Sequence, residues 1–87
     1  MPLALSIVTP ERPVVETEVE SVVLPGSEGE FGVLPGHEAL LAPLAEGAVV
    51  YQEGGRAVRV AITGGFAEVT QTRVTVLADA ARPASSA

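Results

Sequence analysis

The chain has 87 residues, no cysteine and no lysine, and sets eleven acidic side chains against five arginines for a formal net charge of −6. Without cysteine there are neither disulfide staples nor thiolate metal sites, and so acidic a surface repels phosphate backbones and anionic lipid, which excludes nucleic acid as a partner. No apolar run approaches the ~18 residues of a membrane span and no basic, apolar-cored leader is visible, so the expectation is one small domain that does not insert into a membrane.

Leu3, Leu5 and Ile7 share one parity, which predicts a half-buried strand over Leu3–Thr9, closed by Pro10 and Pro13. From Val14 to Leu24 the alternation slips: Glu16, Glu18 and Glu20 hold a parity that Val22 and Leu24 then take over. A strand does not change faces without a break, so a turn or bulge is expected near Glu20-Ser21. The three glutamates read as a soluble strand edge rather than a cation site. Leu24 to His37 then brackets Gly29, Phe31 and Gly32 between two Pro-Gly pairs. Each pair reads as a tight type II turn, with Glu30, Gly32 and Leu34 on one face of the intervening strand and Phe31 and Val33 on the other. Glycine inside that strand suggests a bulge or the close approach of another backbone.

Glu38 to Leu44 fits either a strand or one helical turn, and Pro43 favours a sheet edge. Ala48–Glu53 and Arg56–Ile62 flank Gly54-Gly55, a two-residue hairpin turn of the I′ or II′ kind. That register sets Glu53 opposite Arg56, Tyr51 opposite Val58 and Val49 opposite Val60, with valines and tyrosine on the buried face. Gly64-Gly65 is a second turn or a bulge. Phe66–Thr70 and Arg73–Leu77 read as a last strand pair around Gln71-Thr72. From Ala78 the pattern dissolves, which gives a domain over 1–78 and a short frayed tail over 79–87. About eight short strands and no convincing helix make an all-β sandwich or barrel.

Chemistry is hard to find. His37 is the single histidine, and a nucleophilic trio with Ser27 and Asp79 has no more support than any such trio in a small protein. One histidine without cysteine makes no metal site, and a phosphate-cradling Gly-Lys-Ser/Thr loop is impossible without lysine. No cofactor is expected. His37 reads as a loop imidazole bonded locally or to a partner, and the chain as a protein that works through its surfaces.

Gly26-Ser27-Glu28-Gly29-Glu30-Phe31-Gly32-Val33-Leu34-Pro35-Gly36-His37, followed by Thr63-Gly64-Gly65-Phe66-Ala67-Glu68-Val69 and Val74-Thr75-Val76-Leu77-Ala78-Asp79, resembles the epsilon subunit of F-type ATP synthases in both order and spacing. The resemblance covers nearly the whole chain and is to that family's N-terminal β domain alone. It implies a flattened antiparallel β-sandwich with the family's C-terminal helical hairpin absent. It also implies a non-catalytic rotor subunit of the central stalk, joining the catalytic head, through the gamma subunit, to the membrane c-ring in proton- or sodium-driven ATP synthesis. Such a chain would sit peripherally on the cytoplasmic face of a bacterial inner membrane. By the same resemblance Glu30, the second glutamate of Gly-Ser-Glu-Gly-Glu, is nearest the ring. Glu28 and Phe31 lie in the same loop, His37 matches the histidine after Pro-Gly, and Thr9 faces gamma. Without the helices it would neither inhibit ATP hydrolysis nor bind ATP, and the Pro-Ala-Ser-Ser-Ala tail reads as a natural ending. Gln71-Thr72 departs from the Pro-Gly expected in that turn. The alternative is a free-standing β-sandwich adaptor for a peptide or glycan, for which three scattered aromatics make a poor concave face.

Overall fold

A computed structural model describes residues 2–82 and the backbone of Ser85 and Ser86. Among the described residues every regular element is a strand. These are β1 (Leu3–Val8), β2 (Pro13–Val19), β3 (Ser21–Gly26), β4 (Gly29–Val33), β5 (Leu40–Leu44), β6 (Gly47–Glu53), β7 (Arg56–Ile62), β8 (Gly65–Val69), β9 (Arg73–Ala78) and β10 (Ser85–Ser86). They form one hydrogen-bonded path, β10-β7-β6-β3-β5-β8-β9-β1-β2, with β4 attached to β3. The path curls on itself into a sandwich. One arm holds β3, β4, β6 and β7, and the other holds β5, β8, β9, β1 and β2. Pairing is antiparallel throughout the described residues except where β1 lies parallel to β9.

The period-2 pattern fixes which faces meet. Leu3, Leu5 and Ile7 on β1, Val49 and Tyr51 on β6, Val58, Val60 and Ile62 on β7, and Val74 and Val76 on β9 are all buried. The interior is a cluster of apolar side chains, aliphatic apart from the Tyr51 ring and the half-buried Phe31 packed against it. The expected phase break falls at Glu20, between β2 and β3, where its amide donates to Gln52 O at 2.8 Å. The expected hairpin is also present, with Glu53 paired to Arg56, Tyr51 to Val58 and Val49 to Val60. Positive φ at both Gly54 (58°) and Gly55 (79°) identifies a type I′ turn.

Pro25-Gly26 is not a turn, contrary to the sequence reading. Both residues lie in β3, and the chain reverses at Ser27-Glu28 instead. The cause is non-local. The two arms join at a single residue pair, Gly26 with Leu44. Around it Ala45 N donates to Pro25 O at 2.8 Å and Ser27 N donates to Pro43 O at 3.0 Å. Each proline accepts across this seam and has no N–H to return, so the ladder ends there and the sheet can fold over. Pro35-Gly36 does form the expected type II turn: Gly36 has φ 89° and His37 N donates to Leu34 O at 3.2 Å.

Gly64-Gly65 is neither a second turn nor a bulge within a ladder. It is the corner where the chain crosses from β7 to β8, which are not paired. A Cβ on Gly65 would lie 2.0 Å from Leu77 O, so the close approach of β9 requires glycine there. The Gln71-Thr72 turn manages without glycine because Thr70 clamps it: Thr70 N donates to Arg73 O at 2.8 Å, and Arg73 N donates to Thr70 Oγ1 at 3.1 Å. Where the sequence suggests fraying after Ala78, the described residues run back along β7. Ala81 bridges to Ile62, and Ser85 and Ser86 pair with Arg59 and Val58. Pro83, Ala84 and Ala87 lie outside the described residues.

Candidate partner-binding surfaces

The β3–β4 hairpin carries the signature loop. Its Ser27-Glu28 turn contains no residue at positive φ, and Gly29 at φ 130° absorbs the mismatch with the strand twist. Glu28 and Glu30 are therefore held exposed on a short, well-defined tip. Phe31 points the other way, half-buried against the core and pressed over Gly26, where an added Cβ would meet the ring at 3.0 Å. It also walls an open groove with Leu40, Leu41 and Pro43. Gly32 approaches nothing: a Cβ there would find no atom within 4 Å, so neither a bulge nor a backbone contact explains it.

The strand pairings place the other candidates. Val8, Gly65, Ala78 and Leu44 end or begin their strands at one end of the sandwich, and Gly26 pairs with Leu44 there. Thr9 and the Ser27-Glu28 turn therefore belong to that end. Thr9 closes the β1–β2 turn: its hydroxyl donates to Arg12 O at 3.0 Å and accepts from Arg12 N at 3.3 Å. His37 lies at the opposite end, where Gly36 N is tied to Gln71 O at 2.7 Å. Its Nδ1 donates to Glu38 O at 2.8 Å, a local bond. The structure thus brings Thr9, Glu28 and Glu30 to one end and keeps His37 apart. It likewise leaves His37 apart from Ser27 and Asp79, since Asp79 N is bonded to Gly64 O at the Thr9 end.

A feature the sequence reading did not single out lies on the outer face of the second arm. Pro43 pairs with Phe66, Phe66 with Leu77, and Leu77 with Val8, which makes one apolar row across β5, β8, β9 and β1. Phe66 is 53% exposed, Leu77 55%, and Leu41, on the same face of β5, 71%. The row runs directly into a groove walled by Thr9, Pro10 and Asp79. The signal in the sequence was an apolar residue on the solvent parity of adjacent strands: Phe66 beside inward Ala67 and Val69, and Leu77 beside inward Val74 and Val76. An apolar patch concentrated like this marks a contact surface.

Residues 2–84 match the family described as ATP synthase, Delta/Epsilon chain, beta-sandwich domain. The ATP synthase epsilon chain of Desulforamulus reducens is 48% identical over 80 residues, covering 92% of this chain and 61% of that one. The epsilon chain of Nitratidesulfovibrio vulgaris is 49% identical over 82 residues, covering 94% and 61%. Among solved structures, a chain of the Euglena gracilis mitochondrial ATP synthase, in its OSCP/F1/c-ring assembly, superposes with a TM-score of 0.87 at 30% identity. That match covers 94% of this chain and 53% of that one. A chain from the central stalk and c-ring of the Tetrahymena thermophila enzyme gives 0.76 at 12% identity, covering 95% and 67%, a likeness of fold. The chain spans about three fifths of the length of the curated relatives it matches.

Proposed function

The chain belongs to the ATP synthase delta/epsilon family through its β-sandwich domain, and from that premise we propose that it serves as a non-catalytic rotor subunit of the central stalk. One surface docks on gamma, another rests on the c-ring, and the sandwich between them transmits the coupling of ion flow to ATP synthesis. The observation that carries this reading is the presence of two unlike surfaces on one domain, an apolar row and an acidic hairpin tip that adjoin at the Thr9 end of the sandwich. The apolar row of Pro43, Phe66, Leu77 and Val8, bordered by Thr9, suits a lasting contact with an apolar stalk partner. The exposed carboxylates of Glu28 and Glu30 on the hairpin tip suit a salt-dependent contact with basic side chains of the ring loops. The subunit holds no nucleotide itself and works at the cytoplasmic face of a bacterial inner membrane, carried there by its partners.

The experiment compares two variants in the assembled enzyme. Phe66→Glu/Leu77→Glu should abolish co-purification with gamma while leaving the isolated fold intact, because both side chains already face solvent. Glu30→Lys should keep gamma but weaken ATP-driven ion pumping in reconstituted vesicles. Undiminished gamma binding by the first variant, or normal pumping by the second, refutes the corresponding contact.

A further inference from the structure

The interior of the sandwich is left open between β4 and β5. Cross-strand partners share a face, and Phe31 pairs with buried Leu24 while Leu40 pairs with buried Val69, so both side chains take the inward parity. Neither is fully covered: Phe31 is half-buried and Leu40 is 39% exposed. The cause lies in the strand pairing. Among the described residues β4 pairs with β3 alone, and β5 pairs with β3 only at Gly26–Leu44, so β4 and β5 have no ladder between them. An open groove of about 300 Å³ takes its place, walled by Phe31, Leu40, Leu41 and Pro43 and reaching the Ser27-Glu28 turn.

We propose that this groove seats an aliphatic side chain from a loop of the ring, and that the same loop presents a neighbouring basic side chain to Glu28 or Glu30. Two features select that chemistry. The walls are apolar, and among the described residues lining the groove the one charged side chain is the Glu28 carboxylate, with Glu30 exposed on the same hairpin tip. A groove bordered in this way favours an aliphatic residue beside an arginine or lysine. It disfavours a second copy of this chain, which carries a net charge of −6 and no lysine. At about 300 Å³ the groove stands at the low end of ligand pockets and is open to solvent, which suits one side chain of a loop better than a small molecule that must be enclosed. Covering Phe31, Leu40 and Leu41 adds a contact that salt does not screen to carboxylate contacts that it does. This seat depends on the ring contact proposed for Glu28 and Glu30, and gives that contact an apolar anchor.

The test uses the assembled enzyme. The chain has no cysteine, so Ser27→Cys at the tip and Leu41→Cys at the groove, both at exposed positions, can each carry one photo-activated crosslinker attached before assembly. After illumination both should be joined to the ring subunit, and the residue captured from Leu41→Cys should be aliphatic and next in sequence to a lysine or arginine. Leu41→Asn trims the wall without changing charge, and Leu41 is 71% exposed, so the fold should be retained. That variant should still co-purify with gamma but lower ATP-driven pumping in vesicles by about twofold or more, at low and high salt alike. Capture of the ring by Ser27→Cys, with capture of gamma, of a second copy or of nothing by Leu41→Cys, overturns the seat and leaves the tip contact standing. Parent-like pumping by Leu41→Asn, or capture of a ring residue that is not aliphatic, overturns it in the same way. If neither position reaches the ring, the ring contact itself is refuted and the seat falls with it.

Discussion

The hydroxyl of Thr17 on β2 donates to a carboxylate oxygen of Glu53 on β6, tying the last strand of one arm to a strand of the other. The arms share one backbone pair at the opposite seam, so this side-chain bond closes the sandwich where no ladder does. Thr17→Val keeps the shape and deletes the donor. It should lower stability by about 1–2 kcal/mol in denaturant unfolding, while Thr17→Ser keeps most of it. Parent-like stability in the valine variant would show that the link contributes nothing.

Burial, and then the charge of Glu53, raise the Tyr51 phenol above its ordinary value of 10.0. The unfolded chain releases this proton near that value and the folded chain only at higher pH, so the native state binds it more tightly. The stability it contributes is complete below pH 10.0 and is lost as pH rises through the folded-state value. Tyr51 is the single tyrosine and lysine is absent, which leaves this alkaline range uncluttered. Unfolding measured between about pH 9 and 12 should show a fall in the parent that Tyr51→Phe removes. An identical fall in both proteins assigns it elsewhere.

Val60 is fully buried and Arg59, its neighbour, is exposed on the other face of β7. Val60→Asp should cost several kcal/mol, on the order of the whole stability of so small a domain, whereas Arg59→Asp should change it by roughly 0.5 kcal/mol. Melting temperatures decide. Equal losses would contradict the β6–β7 register.

Gly65 and Gly32 look alike in sequence and differ in consequence. At Gly65, φ is 144° and a Cβ would sit 2.0 Å from Leu77 O, whereas at Gly32 no atom lies within 4 Å. Gly65→Ala should destabilise by roughly 3 kcal/mol or more, and Gly32→Ala should be close to neutral in stability. A large loss at Gly32 would contradict that open surroundings.

What could be read from the sequence was local. A two-residue glycine turn between alternating strands fixes its own register, so the β6–β7 hairpin was legible pair by pair. The change of parity at Glu20 exposed the β2–β3 break for the same reason. Pro25-Gly26 misled because its role is set by Pro43, across the seam and far along the chain. The covering of β7 was invisible because Ala80, Ala81 and Ser85 carry no strand pattern of their own, and backbone pairing alone recruits them. Among the candidate contacts, Glu28 and Glu30 stood out as charges on a glycine-rich loop. Phe66 and Leu77 became a surface only once β8 and β9 were known to lie side by side.

The parallel pairing of β1 with β9 bears on how the molecule is made. β1 finds β2 at once, through the short Thr9–Arg12 turn, but its other edge waits for a strand near the far end of the sequence. Contacts between such distant segments form slowly, after the loop entropy of everything between them has been overcome. On a ribosome, the Leu3–Val8 strand must therefore persist half-paired while most of the domain is synthesised. During that interval its hairpin partner shows Glu16 and Glu18 to solvent. Like charges on such hairpins repel, which opposes contact between half-made chains before β9 completes the sheet.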